Sequence, residues 1–397
     1  MKTLLCLIFF VPLVFSHSTT EIYGLVKIVL FELGVILLAW RWLMRLPKIT
    51  ISRLGWAAIV YFLACALSLI TSFNKYESIG SLLLWAAGIG LYFYLTNTVR
   101  TPEETQKICL AVICAAVCAC LYSIYEVRGI KFEVLRLAYT STFGNPIFFS
   151  QFLSIALPLG IASSITYFSQ RRIYPALLYG ASSILVFVFL VLTRSRGAYI
   201  GIGAAVLYCL ALVWVRGEQK TRRVLKVIAV SSIILIAGLF FLLSKKGALG
   251  ENINIRNLTR VYLWRSAPQI LGDHPVLGVG IGNFKVLYPR YRSQEEREVT
   301  PKGIKYTHMH NDYLEILVET GVVGGLCFLG FLGMVFSLFA RPFRRKYTLS
   351  FLAVGLFCSI ISLLIQALFN PVLYIPASVM GFWLLLGSAE VLAKIEV

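Results

Sequence analysis

The chain is a succession of apolar stretches, each about as long as a helix must be to cross the hydrocarbon core of a bilayer, separated by short polar breaks. Composition agrees, since 58% of the 397 residues are hydrophobic, 14% are charged and mean hydropathy is +0.81. That is too apolar for a soluble domain and fits an all-α polytopic membrane protein. The apolar runs predict spans near 3–16, 22–43, 56–72, 79–96, 107–126, 147–167, 175–193, 197–215, 224–243, 313–340, 349–368 and 372–393. They amount to about twelve transmembrane helices. The first is short, and with Lys2 ahead of an apolar core that ends in Ser16-His17-Ser18 it reads either as a span or as a signal peptide.

Basic residues orient the bundle. With the N-terminus in the cytoplasm, Arg41, Arg45, Lys48 and Arg53 share one cytoplasmic loop, and Arg171 and Arg172 another. Arg216, Lys220, Arg222, Arg223 and Lys226 form a third, and Arg341, Arg344, Arg345 and Lys346 a fourth. The opposite face receives short turns, one long connection from about Ser244 to Asp312, and the histidines His17, His274, His308 and His310. The expected organisation is therefore residues 1–243 as helices one to nine, 244–312 as a long periplasmic loop carrying short amphipathic helices, and 313–397 as helices ten to twelve. Much of the net charge of +19 is this positive-inside signal, which makes membrane lipids and not nucleic acid the partner. The nine cysteines fall in the predicted spans, so the outer loop has no disulfide framework, and Cys118-x-Cys120 reads as small apolar packing.

The positive-inside pattern does not account for Arg194 and Arg196. They lie in Thr193-Arg194-Ser195-Arg196-Gly197, a minimal break on the outer side. On a continuous helix residues two apart point about 200° apart, so both guanidinium groups address one ligand only where Ser195 and Gly197 open a turn. Snorkelling at a helix end is one reading. Binding of a diphosphate, whose oxygens suit a planar charged fork, is the other. In the long loop, Asn254 to Leu271 predicts an amphipathic surface helix with Val261, Trp264, Pro268 and Leu271 on one face and Arg265 beside it. The run Gly278-Val279-Gly280-Ile281-Gly282-Asn283-Phe284 reads as a tight glycine turn, because it lacks the spacing and context of a dinucleotide loop. The mixed-charge run from Arg290 to Glu298 reads as a solvated tip. Arg136 comes to the outer membrane edge ahead of Asn145-Pro146, which opens a helix whose N-terminus either favours phosphate or is simply capped.

His308 and His310 flank Met309 in an extended approach to a helix that begins near Asn311, with Asp312 and Glu315 in its first turn. A histidine at this edge can titrate near neutrality and accept a proton from an incoming hydroxyl. Two other readings stand beside that one: a satisfied polar residue at an interface, and a metal site built from His308, His310 and Asp273, whose spacing is not diagnostic.

His310-Asn311, nine residues, then Gly321-x-x-Gly324 resembles the signature of the O-antigen ligase and polymerase-type glycosyltransferases. Phe143-Gly144-Asn145-Pro146, Arg194-Ser195-Arg196-Gly197, Trp264-Arg265, the run His274 to Gly280, and Phe284 follow the family's order from the fifth span through the tenth. The first four spans match in character alone. The resemblance implies an inner-membrane enzyme whose periplasmic loop holds the active site. There a glycan leaves undecaprenyl diphosphate for an acceptor hydroxyl, with inversion and with neither metal nor cofactor. It implies that His310 is the base, that Arg194, Arg196 and Arg265 grip the diphosphate with Arg136 as a further candidate, and that His308 and Asn311 are secondary. For a ligase the acceptor is the lipid A core, and for an O-antigen or exopolysaccharide polymerase it is another carrier-linked glycan. A lipid-linked sugar transporter is the alternative of a different class. It would place polar groups at mid-bilayer in broken helices, whereas the ionisable cluster here sits at one surface.

Overall fold

The computed structural model describes residues 1–19, 21–128, 139–216, 250–299, 305–343 and 350–395, with backbone alone for 250–258 and 299. The first half comprises α1 (Lys2–Leu13), α2 (Leu25–Leu43), α3 (Arg53–Leu67), α4 (Lys75–Thr98), α5 (Pro102–Glu126), α6 (Pro146–Ser169), α7 (Ile173–Leu192) and α8 (Arg196–Arg216). After the long loop begins come α9 (Gly250–Asp273), α10 (Phe284–Tyr291), α11 (Gln294–Val299), α12 (Asp312–Ala340), α13 (Phe351–Gln366) and α14 (Pro376–Ile395). The described residues contain no strand. Helix starts follow local chemistry: Asn74, Thr101, Asn145, Asn311 and Ser350 each accept a first-turn N–H, and Pro102 and Pro146 occupy first positions where no N–H is needed.

Among the described residues, eight helices are long and apolar enough to cross a membrane. They are α3 with its 3-10 extension to Ile70, and α4, α5, α6, α7, α8, α12 and α14. The other expected spans fall on the shorter α1 and α13 and on α2, which carries Lys27, Glu32 and Arg41, except that 224–243 lies outside the described residues. The centre is built by α6, packed on α5, α7 and α13, and by α14, packed on α4 and α13. Gly88 of α4 lies so close to the Trp383 ring of α14 that a Cβ would overlap it. Outward faces stay apolar, with Ile36 and Trp40 of α2 and Leu177 and Leu178 of α7 all exposed, a surface suited to lipid and not to water.

The span read as continuous over 313–340 is broken. Gly321 has φ +65° and ψ −168°, which divides α12 into a short first segment and a long second one. Such a break frees backbone groups that hydrocarbon cannot satisfy. The loop between α9 and α10 supplies partners for four of them. Val279 and Gly280 donate N–H groups to the carbonyls of Val318 and Glu319 at 3.2 and 2.9 Å, and Val322 and Val323 donate to Pro275 and Val276 at 2.9 and 3.2 Å. Gly278, at φ +69°, has no room for a Cβ, which would lie 2.5 Å from the Glu319 backbone. The expected glycine turn is thus the segment that repairs the broken helix.

Two local expectations change. α9 spans 24 residues and buries Leu263, Ser266, Ala267 and Ile270, while Val261 and Pro268 of the expected apolar face are exposed. The buried stripe meets a second hydrophobic cluster containing Val279, Phe284, Tyr288, Met309 and Val318, and this packing fixes which face of α9 is turned inward. The charged run 290–298 is not wholly a solvated tip either. Glu296 is buried, receives the Tyr288 hydroxyl, and pairs with Arg292 Nε at 3.1 Å.

Candidate active site

The site grows from the start of α12. The Asn311 side chain caps the helix by accepting the Leu314 N–H at 3.2 Å, which leaves the preceding residues extended. Met309 is fully buried, and its carbonyl accepts Trp264 Nε1–H at 3.0 Å while its N–H donates to Glu315 Oε2 at 2.8 Å. The other Glu315 oxygen, Oε1, meets His308 Nδ1 at 2.8 Å. With both neighbours held, the chain turns at His310, whose φ of +56° is a left-handed conformation that costs a non-glycine residue of order 1–3 kcal/mol. Asp312 then joins the start of α12 to the exit of α13: its N–H donates to the Ala367 carbonyl at 2.8 Å, and its Oδ2 accepts the Val372 and Leu373 N–H groups at 2.9 and 2.8 Å.

His310 Nδ1 is buried and without a hydrogen-bond partner. Burial, followed by the positive charges of Arg260 and His308, pushes its pKa down to about 4 and not to the near-neutral value expected, so the ring is neutral near pH 7 and keeps a lone pair for a proton. Burial lowers His308 as well, against the opposing pull of nearby carboxylates.

Arg260 ties this region to α8. Its Nη2 donates to Asn370 Oδ1 at 3.2 Å, and Asn370 lies against Gly197, where a Cβ would overlap its amide. The start of α8, the middle of α9, the exit of α13 and His310 therefore converge at one end of the bundle. Arg194 and Arg196 stand exposed at that end, flanking buried Ser195. Arg194 has φ +52° and separates α7 from α8, so the break expected at Ser195 and Gly197 falls instead at Arg194, with Gly197 inside α8. Tyr199 holds it, donating its hydroxyl to the Val191 carbonyl at 2.7 Å.

The sequence reading chose Arg265 from α9, and Arg265 is exposed. It follows Trp264, so it points about 100° away from the face that meets Met309. Arg260 precedes Trp264 by one turn and shares its face. That i, i+4 spacing of arginine and tryptophan is legible in the sequence, but the face it occupies is set by residues of other segments. Arg136 lies outside the described residues. Of the three metal-ligand candidates, Asp273 accepts the Tyr291 hydroxyl at 2.6 Å and His308 Nδ1 meets Glu315 at 2.8 Å. A further carboxylate, Glu319, is buried one turn beyond Glu315 and accepts Phe284 N–H and Tyr374 O–H, both at 2.9 Å, which fixes the repaired break beneath the site.

Residues 181–329 match the family model described as O-antigen ligase. The match begins within α7, ends beyond the break in α12, and includes Arg194, Arg196, Arg260, Arg265 and His310. No curated protein matches the chain.

Proposed function

We propose, for a chain that carries an O-antigen ligase family domain over residues 181–329, that it transfers a glycan from undecaprenyl diphosphate to an acceptor hydroxyl on the periplasmic face of the inner membrane. The observation that carries the mechanism is the unpartnered Nδ1 of His310, buried beside Arg260. In the proposed step the acceptor oxygen bonds to the anomeric carbon as the bond from that carbon to the diphosphate oxygen breaks. The bonding pair stays on the diphosphate, the hydroxyl proton passes to His310, and a single displacement inverts the anomeric centre. Arg260, Arg194 and Arg196 stabilise the charge developing on the departing diphosphate, with Arg265 as an outer contact and Arg136 as a further candidate. His308 and Asn311 position the base, through Glu315 and through the helix cap.

This electrostatic arrangement favours donor before acceptor. Arg260 lowers the basicity of His310 in the free protein. A bound diphosphate offsets that positive charge and raises the basicity of the imidazole in time for the acceptor.

The lipid A core is the proposed acceptor, and a second carrier-linked glycan is the polymerase alternative. The broken α12 favours a third reading, a lipid-linked sugar transporter. Against it, the loop 275–280 pairs backbone groups on both sides of the break, leaving the repaired helix packed against protein. Purified protein given a carrier-linked glycan with either lipid A core or a second carrier-linked glycan distinguishes all three. A ligase glycosylates the lipid A core, a polymerase lengthens the carrier-linked chain, and a transporter forms no new glycosidic bond with either.

A further inference from the structure

At the end of the bundle opposite His310, a cavity of about 470 Å³ opens among the start of α1, the ends of α2 and α4, and the start of α5. Lys2, Arg41 and Arg45 line it together with Trp42, Tyr94 and Leu38. Among the described residues none of the three cations has an ion-pair partner. The positive-inside rule explains why basic residues occur at this end, but not why residues from separate helices share one space where they repel one another.

The start of α1 gives a second, independent indication. No side chain caps α1 and its first turn has no acidic residue, so the positive end of its dipole adds to the charge at this end. Lys2 adds a like charge where a negative one is favoured. An anion in the cavity reverses both penalties. Glu104 also lines the space, and its Oε2 is occupied by the Arg100 N–H at 2.8 Å.

The remaining lining identifies the anion's other half. Trp42 and Tyr94 meet edge to face with ring centroids 6.3 Å apart, the kind of amphipathic pair found at a membrane–water interface. Above them the outer face of α2 is apolar and exposed at Leu33, Ile36, Leu37 and Trp40. We infer that the cavity binds the headgroup of an anionic phospholipid, with its phosphate among Lys2, Arg41 and Arg45 and its acyl chains along α2. This site is separate from the proposed transfer chemistry and does not depend on it.

The test uses the full chain in bilayers containing brominated phosphatidylglycerol or brominated phosphatidylcholine, with intrinsic tryptophan fluorescence as the readout. The component lost in Trp42→Phe reports on the cavity. In the wild type that component is quenched at a mole fraction of the anionic lipid about tenfold lower than of the zwitterionic one. Arg41→Gln/Arg45→Gln removes the preference. Lys2→Gln, which leaves α2 unaltered, reduces it. Equal quenching by the two lipids in the wild type, or an undiminished preference in the variants, overturns the assignment. Relief of anionic-lipid quenching by millimolar inorganic phosphate also overturns it, by identifying a soluble phosphate as the occupant.

Discussion

His310 combines an unfavourable backbone angle with a buried nitrogen that has no partner, and both costs fall on one residue. Strain concentrated in this way marks function more often than packing. The lowered pKa gives a prediction with a definite sign. A base that loses its proton at about 4, against an ordinary 6.5, stays deprotonated as pH falls through the usual histidine range. The acid limb of kcat/KM, which reports the free protein, therefore lies near the lower value. The limb for kcat lies higher, because bound diphosphate favours the imidazolium. A kcat/KM limb at the ordinary histidine value would contradict the burial of His310 and the charge of Arg260 that together lower it. The arginines separate by substitution. Arg260→Lys keeps charge but loses the guanidinium fork, so KM for the lipid-linked donor rises roughly tenfold, while Arg265→Lys changes it far less. The reverse order in steady-state kinetics would restore Arg265 as the principal contact. The sequence showed the histidine because its apolar helix and its signature spacing were both legible. It did not distinguish Arg260 from Arg265, because that choice depends on which face of α9 is buried, and the face is set by Phe284, Tyr288 and Val318 from other segments.

At the level of elements, the break in α12 and the loop that repairs it are one device. Helix boundaries were largely legible, since caps and apolar length determine them locally. The break was not, because glycine within an apolar run is ordinary in membrane helices and the partners of Val322 and Val323 lie far earlier in the chain. Gly321→Ala places a side chain at φ +65° against the Val276 carbonyl, and should cost on the order of 2 kcal/mol or more. Thermal unfolding in detergent measures it. Gly330, where a Cβ meets nothing within 4 Å, supplies the control, and equal effects of Gly321→Ala and Gly330→Ala would show that the break is not held by the loop.

For the whole molecule, the candidate site and the cationic cavity lie at opposite ends of the bundle, so orientation assigns each to one side of the membrane. Exposed Glu298 belongs to the His310 end and exposed Gln170 to the opposite end. A membrane-impermeant thiol reagent should label Glu298→Cys from the periplasm and Gln170→Cys only after the cytoplasmic side is opened, each read above the wild-type background. The opposite pattern would remove the carrier-linked donor from reach of the site. The most direct measurement is transfer by His310→Ala with donor binding followed in parallel. General-base assistance contributes about 10²- to 10⁴-fold in rate. The account predicts loss of transfer on that scale with binding of the lipid-linked donor nearly unchanged, because the diphosphate rests on arginines. Transfer at the wild-type rate by His310→Ala would contradict it.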